Sequence, residues 1–178
     1  MEHVKRWLDR LVIDHELCPF ARRERARDSI RFVLCDATDE AMLLDTLEAE
    51  LNGLTEQENV ETSLIVHPHV LGNFSDYNQF LNKADDLLDI LGLAGTLQIA
   101  SFHPDYQFAD TSPEDASNYT NRSPYPLLHI LRESSVQRAV EQHPDVDAIP
   151  DANIAKLEAL GTERIQTLLK AIEKDEAL

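Results

Sequence analysis

The sequence has few of the features that would place a protein outside a cell or in a membrane. It contains only two cysteines, Cys18 and Cys35, which form no CxxC pair and are too few for a disulfide scaffold. No run approaches the roughly 20 consecutive apolar residues of a transmembrane helix. The N-terminal stretch MEHVKRWLDRLVIDH is interrupted by charges and lacks the apolar core of a signal peptide. We therefore expect a cytoplasmic protein with reduced thiols and no membrane partner.

Sequence motifs for common cofactors are also lacking. The 178 residues include only five glycines, and no P-loop, GxGxxG, GxSxG, HExxH or zinc-finger pattern occurs. No motif therefore predicts a phosphate-binding loop of a familiar kind. The cofactor is left unassigned, and no residue is assigned as a metal ligand.

Charge is plentiful but unevenly placed. The formal net charge of −17 disfavours nucleic acid and anionic membranes as partners. Between Phe32 and Asn121 the only basic residue is Lys83, against 17 aspartates and glutamates. Five arginines crowd one short stretch: Arg22, Arg23, Arg25, Arg27 and Arg31. This stretch is either a solvated basic face or a local anion site, since the guanidinium fork suits carboxylate and phosphate.

Hydrophobic periodicity and turn residues predict the secondary structure. Strands are predicted over 30–35, 61–66 and 97–101, with a weak fourth near 146–149. Helices are predicted over 3–16, 39–53, 76–91, 150–160 and 162–172. Gly53 is a predicted helix stop. A further helix is predicted to begin at Pro126, with Leu127, Leu128, Leu131 and Val136 as its apolar positions.

This order predicts a single α/β domain spanning residues 1–178. Its β-α-β-α-β core would form a three- to four-stranded, mostly parallel sheet with packed helices. Residues 144–178 would be a helical C-terminal extension. Ligands of such open sheets bind outside the carboxyl ends of the strands.

The predicted strand ends carry polar side chains. Cys35-Asp36, His67-Pro68-His69 and His103-Pro104-Asp105 follow the three strands, so we expect them to meet at one edge of the sheet. The last of these opens a long segment, 101–133, that is rich in histidine, arginine, asparagine, tyrosine and proline. Irregular segments of this length are usually functional or disordered, and the aromatic residues argue against disorder.

The leading hypothesis is a small enzyme acting on an anionic molecule. His103 and Asp105 would form an acid–base pair, because histidine titrates near neutrality and a carboxylate can orient it or share its proton. Arg22, Arg122 or Arg132 would contact the anion, and Asn121 and His129 would position the substrate. On the predicted helix, His129, Arg132 and Glu133 would face the same direction. Cys18, near a helix end and several arginines, is a candidate nucleophile.

Alternatives remain open. The long segment could be the docking surface of a non-catalytic ligand-binding or interaction module, and a flat aromatic patch around Tyr106, Tyr119 and Tyr125 would favour a protein partner. A metal- or thiol-dependent redox protein is a further alternative, because histidines and Asp105 are ligand types that bind zinc or iron. Each histidine could instead hydrogen-bond the turn backbone beside its proline. The residues do not decide whether the protein is an enzyme, what its substrate is or how it oligomerises.

Several tracts resemble a known family. They are LCPFA at 17–21, IVHPHVL at 65–71, DYNQFL at 76–81, ASFHPDYQFA at 100–109 and NRSPYPLLHILRE at 121–133. In this order they resemble the bacterial family called domain of unknown function 1415. The tail beyond residue 143 carries no motif of the family. The resemblance implies a small cytoplasmic bacterial protein and brings no catalytic residue with it.

Overall fold

The protein is a mixed α/β structure built on a four-stranded sheet. A computed structural model describes residues 1–142, 145 and 148–176. The strands are β1 (Ile30–Leu34), β2 (Thr62–Val66), β3 (Leu97–Phe102) and β4 (Leu127–Arg132), in the spatial order β1-β2-β4-β3. β1 and β2 are parallel, whereas β4 is antiparallel to both of its neighbours. β1, β2 and β3 therefore point the same way, and β4 lies between β2 and β3 in the opposite direction.

The α/β fold is confirmed, but the description of the sheet as mostly parallel is inexact, since one of its three strand pairings is parallel. The cause is β4, which occupies part of the segment where a helix was predicted from Pro126. Leu127, Leu128 and Ile130 are all fully buried, because this central strand is covered on both faces. Such a strand reads as a continuous apolar run, and periodicity alone cannot separate it from a buried helix.

Helices pack on both faces of the sheet. They are α1 (Glu2–Trp7), continued by a π-helical stretch (Leu8–Ile13), α2 (Ala21–Ala26), α3 (Glu40–Glu56), α4 (Phe74–Ile90), α5 (Glu133–Gln142), α6 (Ile149–Leu160) and α7 (Thr162–Lys174). Side chains cap α3 and α4 at their N-termini, where Asp39 accepts from the amide of Met42 and Asn73 from those of Ser75 and Asp76. The predicted stop at Gly53 is wrong, because α3 continues to Glu56.

Two apolar cores flank the sheet. α3 and α4 bury leucines and aromatic residues against Ile65 and Ile130. On the opposite face, α1, α6 and α7 pack against Leu64, Val66 and Leu127. Adjacent strand residues go to opposite cores because side chains alternate along a strand, and each fully buried leucine stabilises the fold by roughly 1.5–3 kcal/mol.

The C-terminal region is helical, as predicted. Residues of α6 and α7, among them Leu157, Ile165 and Ile172, belong to the second core. Residues 143 and 144, where the predicted C-terminal extension begins, lie outside the described residues, as do Val146 and Asp147 of the weak fourth strand, while Ile149 begins α6. Within the described part of the chain, no helix is long and apolar enough to cross a membrane.

Candidate functional site

The carboxyl ends of β2 and β3 bring two histidines together, as predicted. His67 and His103 both lie against the ring of Tyr77, with centroid separations of 5.9 Å and 5.1 Å. The Tyr77 hydroxyl donates to the carbonyl of Leu127 at 2.6 Å and accepts the amide of Phe102 at 3.1 Å. All three rings are fully buried. We call His67, Tyr77 and His103 the strand-end cluster.

His103 uses both of its ring nitrogens on the backbone. Nδ1 accepts the amide N–H of Asp105 at 3.0 Å, so Nε2 carries the proton and donates to the carbonyl of Leu71 at 3.1 Å. Burial lowers the pKa of His103. The carboxylate of Asp105 belongs to an exposed residue, and its backbone rather than its carboxylate bonds the ring. The acid–base role of this pair stays a prediction, and the geometry fits a histidine that fastens the turn backbone.

His67 also hydrogen-bonds the loop backbone, but with only one of its two ring nitrogens. Its Nδ1 donates to the carbonyl of Val70 at 3.1 Å, and its Nε2 has no hydrogen-bond partner among the described residues. Burial, assisted by the nearby His103, lowers the pKa of His67 to about 4. His69 is exposed. In the described part of the chain, no three His, Cys, Asp or Glu side chains come close enough together to hold a metal ion.

Arg122 and Asn121 fasten the long segment to itself and to β3. The Arg122 Nε donates to the carbonyl of Tyr106 at 3.0 Å, and Nη2 donates to that of Pro113 at 2.7 Å. The guanidinium also lies 4.6 Å from the ring centre of Tyr119, which is buried. The side chain of Asn121 donates to the carbonyl of Ser101 at 3.1 Å. These bonds hold the part of the segment between β3 and β4, which is irregular apart from a 3-10 helix at Ala116–Thr120.

His129 and Arg132 do not face the same direction, because both lie on β4 and are three residues apart. The Nε2 of His129 lies 2.7 Å from the hydroxyl of Thr62, and burial lowers the pKa of His129 to about 4. On the other face, Arg132 donates to the carbonyls of Leu54, Gln57 and Val60. The predicted helical group with Glu133 is therefore wrong. Arg132 instead satisfies carbonyls at and beyond the C-terminal end of α3.

Arg22 lies elsewhere, beside a cavity of about 530 Å³ between the turn after the N-terminal helix and α6. We call it the α1–α6 cavity. Its volume falls within the 300–1,000 Å³ of ordinary ligand pockets. Ile13, Pro19 and Ile149 are among its apolar lining residues. Its polar lining residues are Glu16, Cys18, Arg22, Asp145, Asn153 and Lys156.

Three of these side chains also hold the turn that ends the N-terminal helix. Arg22 donates to the carbonyl of Ile13 at 3.0 Å, Lys156 to that of Glu16 at 3.0 Å, and Asn153 to that of Leu17 at 2.6 Å. Cationic side chains at a helix C-terminus satisfy its last carbonyls and offset its negative dipole end. Each of the two cations uses one N–H group here, while a guanidinium has five and an ammonium three.

Cys18 contributes its thiol to the same cavity. Burial raises the pKa of Cys18, and two backbone hydrogen bonds, from Phe20 and Ala21, oppose the shift only in part. The predicted effect of the nearby arginines, a thiolate favoured at neutral pH, is therefore outweighed by desolvation. Cys18 is a protonated thiol at neutral pH.

The N-terminal end of α6 also meets the α1–α6 cavity. Ala148, Ile149 and Ala152 of this end line the cavity. Ala148 is the N-cap residue and provides no side-chain cap. The first N–H groups of a helix have no partner within the helix and carry its positive dipole end. The positive end of α6 thus adds to the charges of Arg22 and Lys156.

A second cavity, of about 570 Å³, lies on the opposite face of the sheet. It lies beside the N-terminal ends of α3 and α4, and we call it the α3–α4 cavity. Asp39, Glu40, Asp76 and Lys83 line it together with residues of the loop between β2 and α4. Lys83 pairs with Glu40. With three carboxylates against one ammonium, this cavity does not suit an anion.

Sequence reasoning found Arg22 and Cys18 but missed Asn153 and Lys156. No motif surrounds these two residues, and the carbonyls that they bond lie 136 and 140 residues away in the chain. Their spacing of three residues on a helix was the only available signal, because residues three apart on a helix share a face.

Comparison with known proteins identifies a family and no characterised relative. A family model described as a protein of unknown function (DUF1415) matches residues 1–167. The match extends past the tracts that carry the resemblance and includes α6 with Asn153 and Lys156. Comparison with the curated proteins and with the solved structures found no match. The chain belongs to the DUF1415 family of proteins of unknown function.

Proposed function

We propose that the protein binds a small molecule carrying a carboxylate or phosphate group in the α1–α6 cavity. Arg22 and Lys156 are the anion contacts. The observation that carries the proposal is the convergence of two cationic side chains and the N-terminal end of α6 on one cavity of ligand size. The guanidinium fork suits a planar or tetrahedral oxyanion, and the ammonium supplies a second point charge.

The lining also includes two carboxylates, Glu16 and Asp145. The two positive and two negative side chains of the lining therefore cancel in formal charge. We expect the side chains that are already held in place to decide which charge a ligand contacts. Arg22 and Lys156 are held by bonds to the carbonyls of Ile13 and Glu16, so less conformational entropy is lost when a ligand binds them. Glu16 and Arg22 are both exposed residues, so water screens the two charges alike and does not decide between them.

The proposal concerns binding rather than catalysis. Proton transfer needs a titratable group within hydrogen-bond reach of the ligand and a pKa near the working pH. Among the described lining residues, the thiol of Cys18 is the group whose usual pKa lies nearest to neutrality, and burial moves it further away. His103 and Asp105 lie at the carboxyl end of β3 and do not line this cavity.

Isothermal titration with inorganic phosphate and with succinate tests the proposal. Succinamide, which has the size of succinate without its charge, is the control ligand. We expect both anions to bind and succinamide not to bind, and we expect Arg22→Met to weaken binding at least tenfold.

Arg23→Met is the matched control variant. Arg23 is the next residue on α2 and is exposed, and it does not line the cavity. Its substitution should leave the affinity within a factor of two of the wild type. Absence of heat with both anions, or equal losses in the two variants, would overturn the proposal.

A further inference from the structure

The loop between β2 and α4, residues 67–73, is held from the protein interior by the two histidines of the strand-end cluster. His67 donates to the carbonyl of Val70, and His103 donates to the carbonyl of Leu71. Val70, Leu71 and Gly72 in turn line the α3–α4 cavity. The same two bonds therefore fix the loop and one wall of a cavity at the carboxyl end of the sheet.

The loop is strained at the point where His103 holds it. Leu71 has a φ of +58°, a left-handed conformation that costs a residue with a Cβ free energy. Such conformations persist only where surrounding contacts impose them. The imidazole bond to the Leu71 carbonyl is one such contact. The closed loop is thus a held conformation, and loss of that bond would let Leu71 relax.

Both histidines hold the loop only while their rings are neutral. The Nδ1 of His103 accepts the amide N–H of Asp105, so a proton on this nitrogen would turn two N–H groups toward each other. The Nε2 of His67 has no partner among the described residues, so a proton there would bury a cation without an acceptor.

The groups around the two rings do not compensate for such a charge. Tyr77 of α4 lies between the rings, and its hydroxyl is already bonded to the backbone on both sides. Phe74 contacts the rings of both His103 and Tyr106, and His103 disfavours a proton on His67. Asp105 favours a proton on His103, but it is an exposed residue whose effect burial exceeds.

We propose that His67 and His103 form an acid-sensitive latch on the 67–73 loop. With both rings neutral, the loop closes one wall of the α3–α4 cavity. On protonation the two imidazole rings leave their buried positions and no longer hold the loop carbonyls. Leu71 then relaxes and the loop moves away from the cavity, while the sheet stays folded.

The size of the effect follows from linkage. The pKa of His67 is about 4 in the closed protein, and an exposed histidine has a pKa of about 6.5. Because the closed state has the lower pKa, its stabilisation is complete above about pH 6.5 and is lost as the pH falls toward 4. At pH 5 this shift favours the open loop about 30-fold relative to pH 8. The shift of His103 acts in the same direction.

Hydrogen exchange measured by mass spectrometry at pH 8 and pH 5 tests the latch, with rates corrected for the intrinsic pH dependence of exchange. We expect protection in peptides covering 67–73 to fall at least 30-fold at pH 5, while peptides within β2 and β4 keep their protection. Unchanged protection in the loop, or simultaneous loss in loop and strands, would overturn the proposal without requiring any variant.

Two variants separate the latch from a general acid effect. In His67→Asn the side-chain amide can still donate to the Val70 carbonyl but cannot take up a proton. The fall in loop protection between pH 8 and pH 5 should therefore be at least tenfold smaller than in the wild type. His69→Asn removes an exposed histidine of the same loop and should leave the pH effect unchanged. Equal behaviour of the two variants would contradict a latch at His67.

Discussion

The strand-end cluster and the α1–α6 cavity both contain residues that the sequence marks as functional candidates, and the two regions use their polar atoms differently. In the cluster, Tyr77 and His103 satisfy their polar atoms within the protein, and every ring is fully buried. In the cavity, Arg22 and Lys156 each use one N–H group on a carbonyl and leave charge beside an open volume. We propose that the N–H donors left after the structural bonds, rather than residue type, distinguish a binding group from an anchoring group.

The three arginines predicted to contact an anion show the same contrast. Arg132 donates to three carbonyls, and Arg122 donates to two while its flat face lies over Tyr119. Both are parts of the scaffold. Arg22 lines a cavity of ligand size.

The largest expected effect comes from removing the central ring of the cluster. Tyr77→Ala should lower the free energy of unfolding by about 4 kcal/mol, since it deletes a fully buried aromatic ring and leaves two histidines without their packing partner. Urea unfolding measures this. Tyr77→Phe keeps the ring and should lose about 1–2 kcal/mol through the hydroxyl alone. A loss below 1 kcal/mol in Tyr77→Ala would mean that the cluster does not support the fold.

A smaller effect is expected when the two kinds of arginine are exchanged for methionine, which keeps much of the side-chain volume. Arg132→Met should lower the free energy of unfolding by about 2 kcal/mol, because carbonyls of Leu54, Gln57 and Val60 lose a charged donor. Arg22→Met should cost under about 1 kcal/mol, since it removes one bond at a partly solvated turn.

Phosphate affinity completes this comparison. Titration of both variants should show weaker binding in Arg22→Met and unchanged binding in Arg132→Met. The opposite assignment, with phosphate binding lost in Arg132→Met while its fold is intact, would break the distinction between scaffold and binding arginines.

The smallest expected effect concerns the thiol of Cys18. Because burial raises its pKa, alkylation of Cys18 by iodoacetamide should be slower at pH 7.5 than that of a cysteine in a short peptide, and the rate should keep rising above pH 9. Mass spectrometry of the modified peptide follows the reaction. Bound phosphate should slow it further, because Cys18 and Arg22 line the same cavity. A rate that levels off below pH 8 would point to a stabilised thiolate and restore Cys18 as a nucleophile.

Much of the architecture could be predicted from local patterns. β1, β2 and β3 are short apolar runs bounded by turn residues, and α4 shows clear helical periodicity, so all four were found within a few residues. β4 was not recognised because its leucines are good helix formers and their spacing after Pro126 also fits the apolar face of a helix. Its misassignment also produced the wrong grouping of His129, Arg132 and Glu133.

The meeting of His67 and His103 was predictable because β2 and β3 share a direction, whatever lies between them. Their hydrogen bonds were not, since the accepting carbonyls depend on the path of the 67–73 loop. That Arg22 and Lys156 line the same cavity could not be predicted from the sequence either. It depends on how α6 docks over the turn after the N-terminal helix, a tertiary contact that no local pattern records.

The central claim is that the anion site lies at Arg22 and not at His103. Isothermal titration of inorganic phosphate into the wild type, Arg22→Met and His103→Gln tests this claim most directly. The glutamine side chain can keep the donor to Leu71, so the fold should be retained for the measurement. We predict at least tenfold weaker binding in Arg22→Met and wild-type affinity in His103→Gln. Wild-type affinity in Arg22→Met with binding lost in His103→Gln would contradict the account.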